Sequence, residues 1–374
     1  MHTCDVLIVG GGPAGSSCAW RLRESGLRVV VLDKAVFPRD KVCAGWITPA
    51  IIEELKLDIA DYAAGRVLQP FTGFLTGLIG RPGVVTDYGR PVSYGIRRCE
   101  FDHYLLARCG AEMRLGEPLK TLHPEGEAWI VNDALKARLV IGAGGHFCPV
   151  ARMVAQRSET ADDPVVLAQE VEFEIPERDR AACPVAGERP ELYFCPDLAG
   201  YGWIVRKGQH LNIGLGREGE RNLSAQFEQF LIFLRDRGRL TIDIPKPFHG
   251  HAYYLRRYAP PVVTPPGVLL IGDAAGLAYP QSGEGIRPAI ESGLLAAQLL
   301  RERGLDSSPD LATELQQRFE VRFGRGAKRP KWTPTLANVL RHRAAGWLMQ
   351  TRWFNRRVLL DRWFLHAHQA ALGT

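Results

Sequence analysis

One stretch at the start of the chain constrains the fold more than any other. Asp5-Val6-Leu7-Ile8-Val9 is a short apolar run rich in β-branched residues, the pattern of a strand buried on both faces. Gly10-Gly11-Gly12-Pro13-Ala14-Gly15 follows at once, then a helical pattern from Ser16 to Ser25, a stop at Gly26, and a second apolar run, Arg28 to Asp33, that ends in an acid. This is G-x-G-x-x-G between a strand and a helix, with a carboxylate closing the next strand. Gly10 permits the tight turn, Gly12 lets backbone approach a pyrophosphate, and Gly15 lets helix and strand pack closely. The helix N-terminus offers free N–H groups and a partial positive charge. Asp33 is placed to accept hydrogen bonds from a ribose. A glycine-rich turn in some other α/β chain would need none of these flanking elements, so dinucleotide binding is the expectation.

A second site lies far downstream. Gly267 to Ile271 reads as another buried strand. It runs into Gly272-Asp273-Ala274-Ala275-Gly276 and, through Gly283-Glu284-Gly285, into a long helix from about Ile286 to Arg303. The strand end places one carboxylate where open α/β sheets bind ligands. Two separated sites suit an extended cofactor such as FAD better than NAD.

At this point the sequence resembles the FAD-dependent oxidoreductases of the para-hydroxybenzoate hydroxylase fold, on the Gly10–Gly15 loop and on Gly272-Asp273. Arg98-Cys99-Glu100-Phe101-Asp102-His103-Tyr104-Leu105 is similar to a third element of that family, Arg-x-x-Phe/Leu-Asp-x-x-Leu. The resemblance implies that Asp273 binds the ribityl chain and that Arg98 lies by the FAD phosphates. It implies further non-covalent FAD contacts at Pro13, Ala14, Lys34, Arg39, Cys43, Ala44, Gly142, Ala143, Gly283, Gly285 and Ile286.

Two segments resemble the geranylgeranyl reductase branch of the fold. Phe37-Pro38-Arg39-Asp40-Lys41-Val42-Cys43-Ala44-Gly45-Trp46 is similar to its Pro-Arg-x-Lys-x-Cys-Gly-Gly segment, with Ala44 in place of a glycine. Tyr201-Gly202-Trp203-Ile204-Val205-Arg206-Lys207-Gly208 is similar to Tyr-x-Trp-x-Phe-Pro-Lys-Gly, departing at Val205-Arg206. Aromatic hydroxylases of the fold carry Gly-Ala-Asp-Gly, where this chain has Gly142-Ala143-Gly144-Gly145-His146 and no carboxylate. No second G-x-G-x-x-G is present, so NAD(P)H is expected to dock transiently or to be replaced by another electron donor, such as a protein.

The middle of the chain fits an inserted substrate domain. Val165 to Ile175 alternates after Ala168, the pattern of a half-exposed antiparallel strand. Glu191 to Cys195, Tyr201 to Lys207 and His210 to Leu215 read as further strands, the last two a hairpin around Gly208. Such a sheet can roof a flavin, and Tyr201 and Trp203, two residues apart, share a face. The expected architecture is therefore α/β: a Rossmann-like FAD-binding domain with a parallel sheet, an inserted antiparallel β-sheet substrate domain, and C-terminal helices. The expected boundaries are 1–75, 98–155 and 260–305 for the FAD-binding domain, 76–97 and 156–259 for the substrate domain, and 306–374 for the C-terminal segment.

Side chains are poor hydride donors, so redox chemistry at carbon needs the flavin. The leading expectation is reduction of C=C bonds in a prenyl or other apolar substrate. Cys43 then shapes or protonates the site, and Tyr201 and Trp203 line it as catalytic candidates. The alternatives are a flavin monooxygenase acting on an aromatic or polyketide substrate and a non-catalytic flavin-binding redox protein. Halogenation is disfavoured by the missing Trp-x-Trp-x-Ile-Pro motif.

Composition then bounds the surroundings. The eight cysteines form no C-x-x-C pair, which speaks against structural zinc or a disulfide framework and for a reducing compartment. No window of the sequence approaches a spanning helix, so the expected location is cytoplasmic, at most peripheral to a membrane. Of the net charge of +6, the tail carries the excess: from Arg301 onward 14 Lys+Arg face 6 Asp+Glu. There Trp347, Trp353, Phe354, Trp363 and Phe364 alternate with Arg341, Arg343, Arg352, Arg356, Arg357 and Arg362. That mixture suits a helical cap over the substrate cavity or a peripheral membrane contact; nothing else supports nucleic acid.

Overall fold

Buried β-branched runs demand neighbours on both sides, and five strands supply them to one another. In the computed structural model, His2–Val9 lies between Val29–Asp33 and Leu135–Gly142, all parallel. Glu112–Leu115 extends the sheet beyond Val29–Asp33, and Val268–Leu270 joins Leu135–Gly142, again in parallel. Ala128–Val131 and Leu122–Glu125 complete the seven strands as an antiparallel edge. Helices Pro13–Leu22 and Ile286–Arg303 belong to the same body, and Gly293 lets them close: a Cβ there would stand 2.3 Å from the Ala14 carbonyl oxygen. The structure describes residues 1–154, 156–157, 165–219, 222–256, 262–305, 310–325 and 346–373.

The chain divides into two units. The first comprises 1–40, 99–164 and 253–329; the second comprises 41–98, 165–252 and 330–374. Residues 41–75 thus belong with the second unit and not with the first. The reason is strand pairing: Trp46–Ile47 and Leu68–Phe71 flank Ser93–Ile96, and Gly73–Leu78 runs parallel to Glu191–Phe194.

The second unit is built on a seven-stranded sheet. Its order is His249–Tyr254, Val165–Glu174, His210–Glu218, Gly200–Lys207, Glu191–Phe194, Gly73–Leu78 and Val84–Asp87. The expected hairpin is present, with Lys207 opposite His210 and Gly208 at φ +58° in its two-residue loop. One face is apolar: Val171, Ile204, Leu211, Ile213 and Leu215 pack with Phe227, Phe230, Leu231 and Leu234 of the helix Leu223–Asp236. The opposite face carries the polar and aromatic side chains described below.

The C-terminal helices form as the sequence predicts, over Asp310–Phe323 and again over Arg352–Phe364. Of the arginines expected in the C-terminal segment, Arg341 and Arg343 lie outside the described residues.

Candidate functional site

In the first unit the glycine loop is fixed from three directions. Gly10 has φ +119°, and a Cβ there would lie 2.4 Å from the Ala143 carbonyl oxygen, while one on Gly15 would lie 1.9 Å from the Gly10 oxygen. Neither position tolerates a side chain. Gly142 pairs with Val9, and the Ala143 N–H donates to the Val9 carbonyl, so these two residues back the loop from the neighbouring strand. Asp33 accepts the Gly11 N–H at 2.7 Å and the Ala35 N–H at 2.8 Å. It therefore holds the loop as well as closing the strand, with lone pairs remaining for a ribose. Lys34, beside it, is exposed.

The helix Pro13–Leu22 starts at Gly12 with no capping side chain, and its first residue, Pro13, has no N–H to satisfy. A guanidinium stands at this end. Arg39 stacks on Phe37 at 4.8 Å, pairs with the fully buried Asp102 at 3.2 Å, and its Nη2 is 3.4 Å from where a Gly12 Cβ would be. Its Nη1 is buried with no hydrogen-bond partner. An uncapped helix start beside an unsatisfied guanidinium N–H is the donor set that a diphosphate completes. The residues present thus fit FAD.

The second glycine-rich turn adds a carboxylate. Gly272–Ala275 forms a short 3-10 turn after its strand, and the Gly272 N–H donates to Ser292 Oγ at 2.9 Å. A Cβ on Gly272 would lie 3.0 Å from that of Ala14, and one on Gly285 would lie 3.3 Å from Asp273 Oδ1, so the two FAD sequence motifs meet in this unit. Gly283 has φ +68°, and Ile286, buried, opens the long helix. That helix start differs from the first: Glu284 Oε1 already accepts the Arg287 N–H at 2.7 Å. Burial pushes the Glu284 carboxyl up to about 7.

In the second unit the polar face of the sheet grips the segment that carries Cys43. Glu170 Oε1 accepts the Cys43 N–H at 2.7 Å, and Asn212 Nδ2 donates to the Cys43 carbonyl at 3.2 Å. Lys207, fully buried, donates to the carbonyls of Ala44 at 3.1 Å and Ile96 at 3.0 Å and pairs with Glu172. Arg97 Nε reaches Glu172 Oε1 at 3.2 Å. Ala44 thus contributes its backbone to this grip. Burial works against the Glu172 charge, yet Lys207, Asn212 and Arg97 outweigh it and hold its carboxyl below the usual range. For Glu170 burial wins, and its carboxyl is pushed up to about 7. Burial also raises the Cys43 thiol, and the neighbouring Arg98, which hydrogen-bonds it, offsets only part of the rise. The thiol therefore stays protonated at neutral pH.

Tyr201 and Trp203 do share a face, with ring centroids 6.0 Å apart. The Trp203 ring lies over Gly214, where a Cβ would be 2.1 Å from it, and its indole N–H donates to Asn212 Oδ1 at 2.6 Å. Tyr201 stands between Phe194 at 5.5 Å and Phe364 at 5.3 Å, and Phe364 also meets Trp46 at 6.1 Å. Phe364, 1% exposed, brings the C-terminal helix onto this aromatic group.

Two expectations change in detail. In the alternating strand Val165–Glu174 the polar position Glu170 is not on an exposed face: it is 5% exposed and spends its carboxylate on Cys43, while Gln169 and Glu172 stay partly exposed. Arg98 opens its helix at the Cys43 thiol, whereas the guanidinium beside Gly12 is that of Arg39. Sequence reasoning did not single out Glu170, Glu172 or Asn212, and it had Asp102 only as the acid of the Arg-x-x-Phe/Leu-Asp-x-x-Leu element, with no role. The available signal for the first two was a row of acids two apart, Glu170, Glu172 and Glu174, separated by the apolar Val171 and Phe173.

The fold and its dinucleotide cradle define a FAD-dependent oxidoreductase, and a FAD-dependent oxidoreductase domain matches residues 5–73. A menaquinone reductase of Mycolicibacterium smegmatis is 30% identical over 355 residues, 86% of this chain and 83% of that protein. A geranylgeranyl diphosphate reductase of Rhodobacter capsulatus is 29% identical, over 79% of this chain and 74% of that one. Among solved structures, a geranylgeranyl bacteriochlorophyll reductase-like protein of Thermoplasma acidophilum shares the fold with TM-score 0.71 and 22% identity, over 93% of this chain and 88% of that one. A flavin-dependent brominase does so with TM-score 0.71 and 18% identity, over 97% and 92%. The chain belongs to the family of FAD-dependent oxidoreductases that includes the menaquinone and geranylgeranyl reductases.

Proposed function

We propose that the protein reduces C=C bonds in the prenyl chain of a lipid. The observation that carries this reading is the Cys43 thiol, kept protonated by burial and held by Glu170 and Asn212 on the face that bears Tyr201 and Trp203. The relatives' names, menaquinone reductase and geranylgeranyl diphosphate reductase, point to prenyl-bearing substrates.

The Gly10–Gly15 loop, Arg39 and Asp273 would hold FAD, which when bound and reduced would be the source of a hydride for one alkene carbon. Cys43 supplies the proton for the other carbon and recovers one from solvent afterwards. Tyr201, Trp203, Phe194, Phe364 and Trp46 offer an apolar wall for the prenyl chain, and they exclude water from it. The FAD-binding part is assigned to the unit of 1–40, 99–164 and 253–329 and the substrate-binding part to the unit of 41–98, 165–252 and 330–374, whose tail supplies the cap. NAD(P)H or another donor restores the electrons by transient docking. The tail exposes Trp347 and Trp353, each 67% exposed, beside arginines, which supports a peripheral membrane contact where a prenyl lipid is met.

The test is anaerobic. Enzyme reduced with dithionite is mixed with menaquinone or geranylgeranyl diphosphate, and the oxidised-flavin absorbance is followed. Its return, with a product richer by two hydrogen atoms per double bond, supports the reading. A hydroxylated product that forms only in air supports a monooxygenase instead, and bound FAD without turnover supports a non-catalytic flavoprotein.

A further inference from the structure

The chain spends three buried polar side chains on three successive peptide groups. Glu170 takes the Cys43 N–H, Asn212 takes the Cys43 carbonyl, and Lys207 takes the next carbonyl, that of Ala44. All three stand on one face of one sheet. The register explains how: Glu170 lies opposite Gly214 and Glu172 opposite Asn212, while Trp203 lies opposite Gly214 from the other side. With no side chain at 214, the indole of Trp203 occupies that space and walls off Glu170. A loop of ordinary structural purpose would be satisfied by backbone or water, since burying three ionisable or amide groups costs free energy unless each is paired.

Gly45 extends the same grip. It has φ +68°, and a Cβ on it would stand 2.4 Å from the Ile96 carbonyl and 2.8 Å from Lys207 Nζ. Its N–H points to the Cys43 sulfur at 3.4 Å. The backbone on both sides of the thiol is therefore fixed, and the thiol itself contacts Arg98.

We propose that Glu170 is a positioning residue for Cys43: with the Asn212 amide it holds both peptide groups of that residue and so sets where the thiol points. The consequence for turnover rests on the reading of Cys43 as the proton donor; the grip itself does not. A carboxylate suits the place because two donors, the Cys43 N–H and Asn212 Nδ2 at 3.4 Å, face it. The charged groups around it are Glu172 from its own strand, Lys207 from the hairpin, Arg97 from the residue before the Arg98–Ala107 helix, and Arg98 from that helix's first position. A glutamine keeps one of the two hydrogen bonds and turns its NH2 toward the other donor.

The experiment uses FAD-loaded full-length protein. Alkylation of Cys43 by iodoacetamide is followed by mass spectrometry of its peptide from pH 6 to 9 in wild type, Glu170→Ala and Glu170→Gln, alongside kcat and KM. The wild-type rate is expected to inflect near pH 7, where Glu170 gains its charge and opposes thiolate formation. In E170A the inflection is lost, alkylation above pH 7 rises because the charge that opposes the thiolate is gone, and kcat falls with KM held. E170Q loses the inflection and recovers part of kcat. A wild-type alkylation rate and pH profile in E170A overturns the proposal. Altered alkylation with unchanged kcat keeps the grip and removes Cys43 as proton donor. Should E170A fail to fold, the E170Q profile decides: a retained inflection overturns the proposal and its loss supports it.

Discussion

Asn212 joins Trp203 to Cys43. Its Oδ1 accepts the Trp203 indole N–H at 2.6 Å and its Nδ2 donates to the Cys43 carbonyl at 3.2 Å. One amide thus ties an aromatic wall to a thiol-bearing loop. Replacing Asn212 with Leu leaves a buried indole N–H and a carbonyl without partners, at a cost of about 1–3 kcal/mol for each unsatisfied group. Thermal denaturation is expected to show that loss while FAD content stays at the wild-type level. In Asn212→Asp the indole keeps its acceptor, but a third carboxylate joins Glu170 and Glu172, so the Cys43 alkylation inflection moves to higher pH.

Arg39 is expected to matter more for cofactor retention than Arg98. Its Nη1 is buried without a partner beside an uncapped helix start. A hydrogen bond to a charged group contributes about 1.5–3 kcal/mol, so Arg39→Gln should weaken FAD binding by roughly ten- to 150-fold. Flavin fluorescence titration measures this directly. In Arg98→Gln the larger change is expected in Cys43 reactivity, because Arg98 lowers the thiol against the effect of burial.

Glu284 gives the first unit a signature in pH. Burial raises its carboxyl from 4.5 to about 7, so the folded protein binds a proton there that the unfolded chain has lost. Stability from this group is fully present below about pH 4.5 and is lost as pH rises through about 7. Glu284→Gln keeps an acceptor for the Arg287 N–H and has nothing to ionise. Its melting temperature is expected to gain on wild type between pH 5 and pH 8, by the equivalent of about 3 kcal/mol at most. A difference that does not change with pH contradicts this.

The C-terminal helix is anchored, and its removal should be costly. Phe364 packs on Trp46, Phe194 and Tyr201, and the fully buried Asn355 accepts from Thr76 Oγ1 and donates to the Met349 carbonyl at 2.7 Å. Phe364→Ala is expected to destabilise the protein by about 3–5 kcal/mol, read by urea unfolding, and to change KM for a prenyl substrate as the apolar wall opens.

Much of this was legible in the sequence because glycine and buried strands announce themselves locally. The Gly10–Gly15 loop, Asp33, the Gly272-Asp273 turn and the Tyr201–Leu215 hairpin each follow from short-range patterns. Glu170 did not, because alternation marks a second face without saying what covers it. The cover here is the segment Cys43–Gly45, more than a hundred residues away in sequence, and only tertiary pairing shows that the polar face is dry. The grouping of 41–75 with the inserted sheet was hidden for the same reason: it depends on pairing with Glu191–Phe194. The contrast between Arg39 and Arg98 also turns on which guanidinium the folded loop brings to Gly12, a matter no spacing rule decides.

The proposed alkene reduction draws its proton from Cys43. The direct measurement is the product mass from a single anaerobic turnover of reduced enzyme with geranylgeranyl diphosphate or menaquinone, in wild type and in Cys43→Ala and Cys43→Ser. Wild type is expected to add two hydrogen atoms to a double bond. Both variants should keep FAD and lose about 10²- to 10⁴-fold in rate, the usual contribution of a positioned acid. Wild-type rates in both variants, or no reduced product from wild type, would contradict the account.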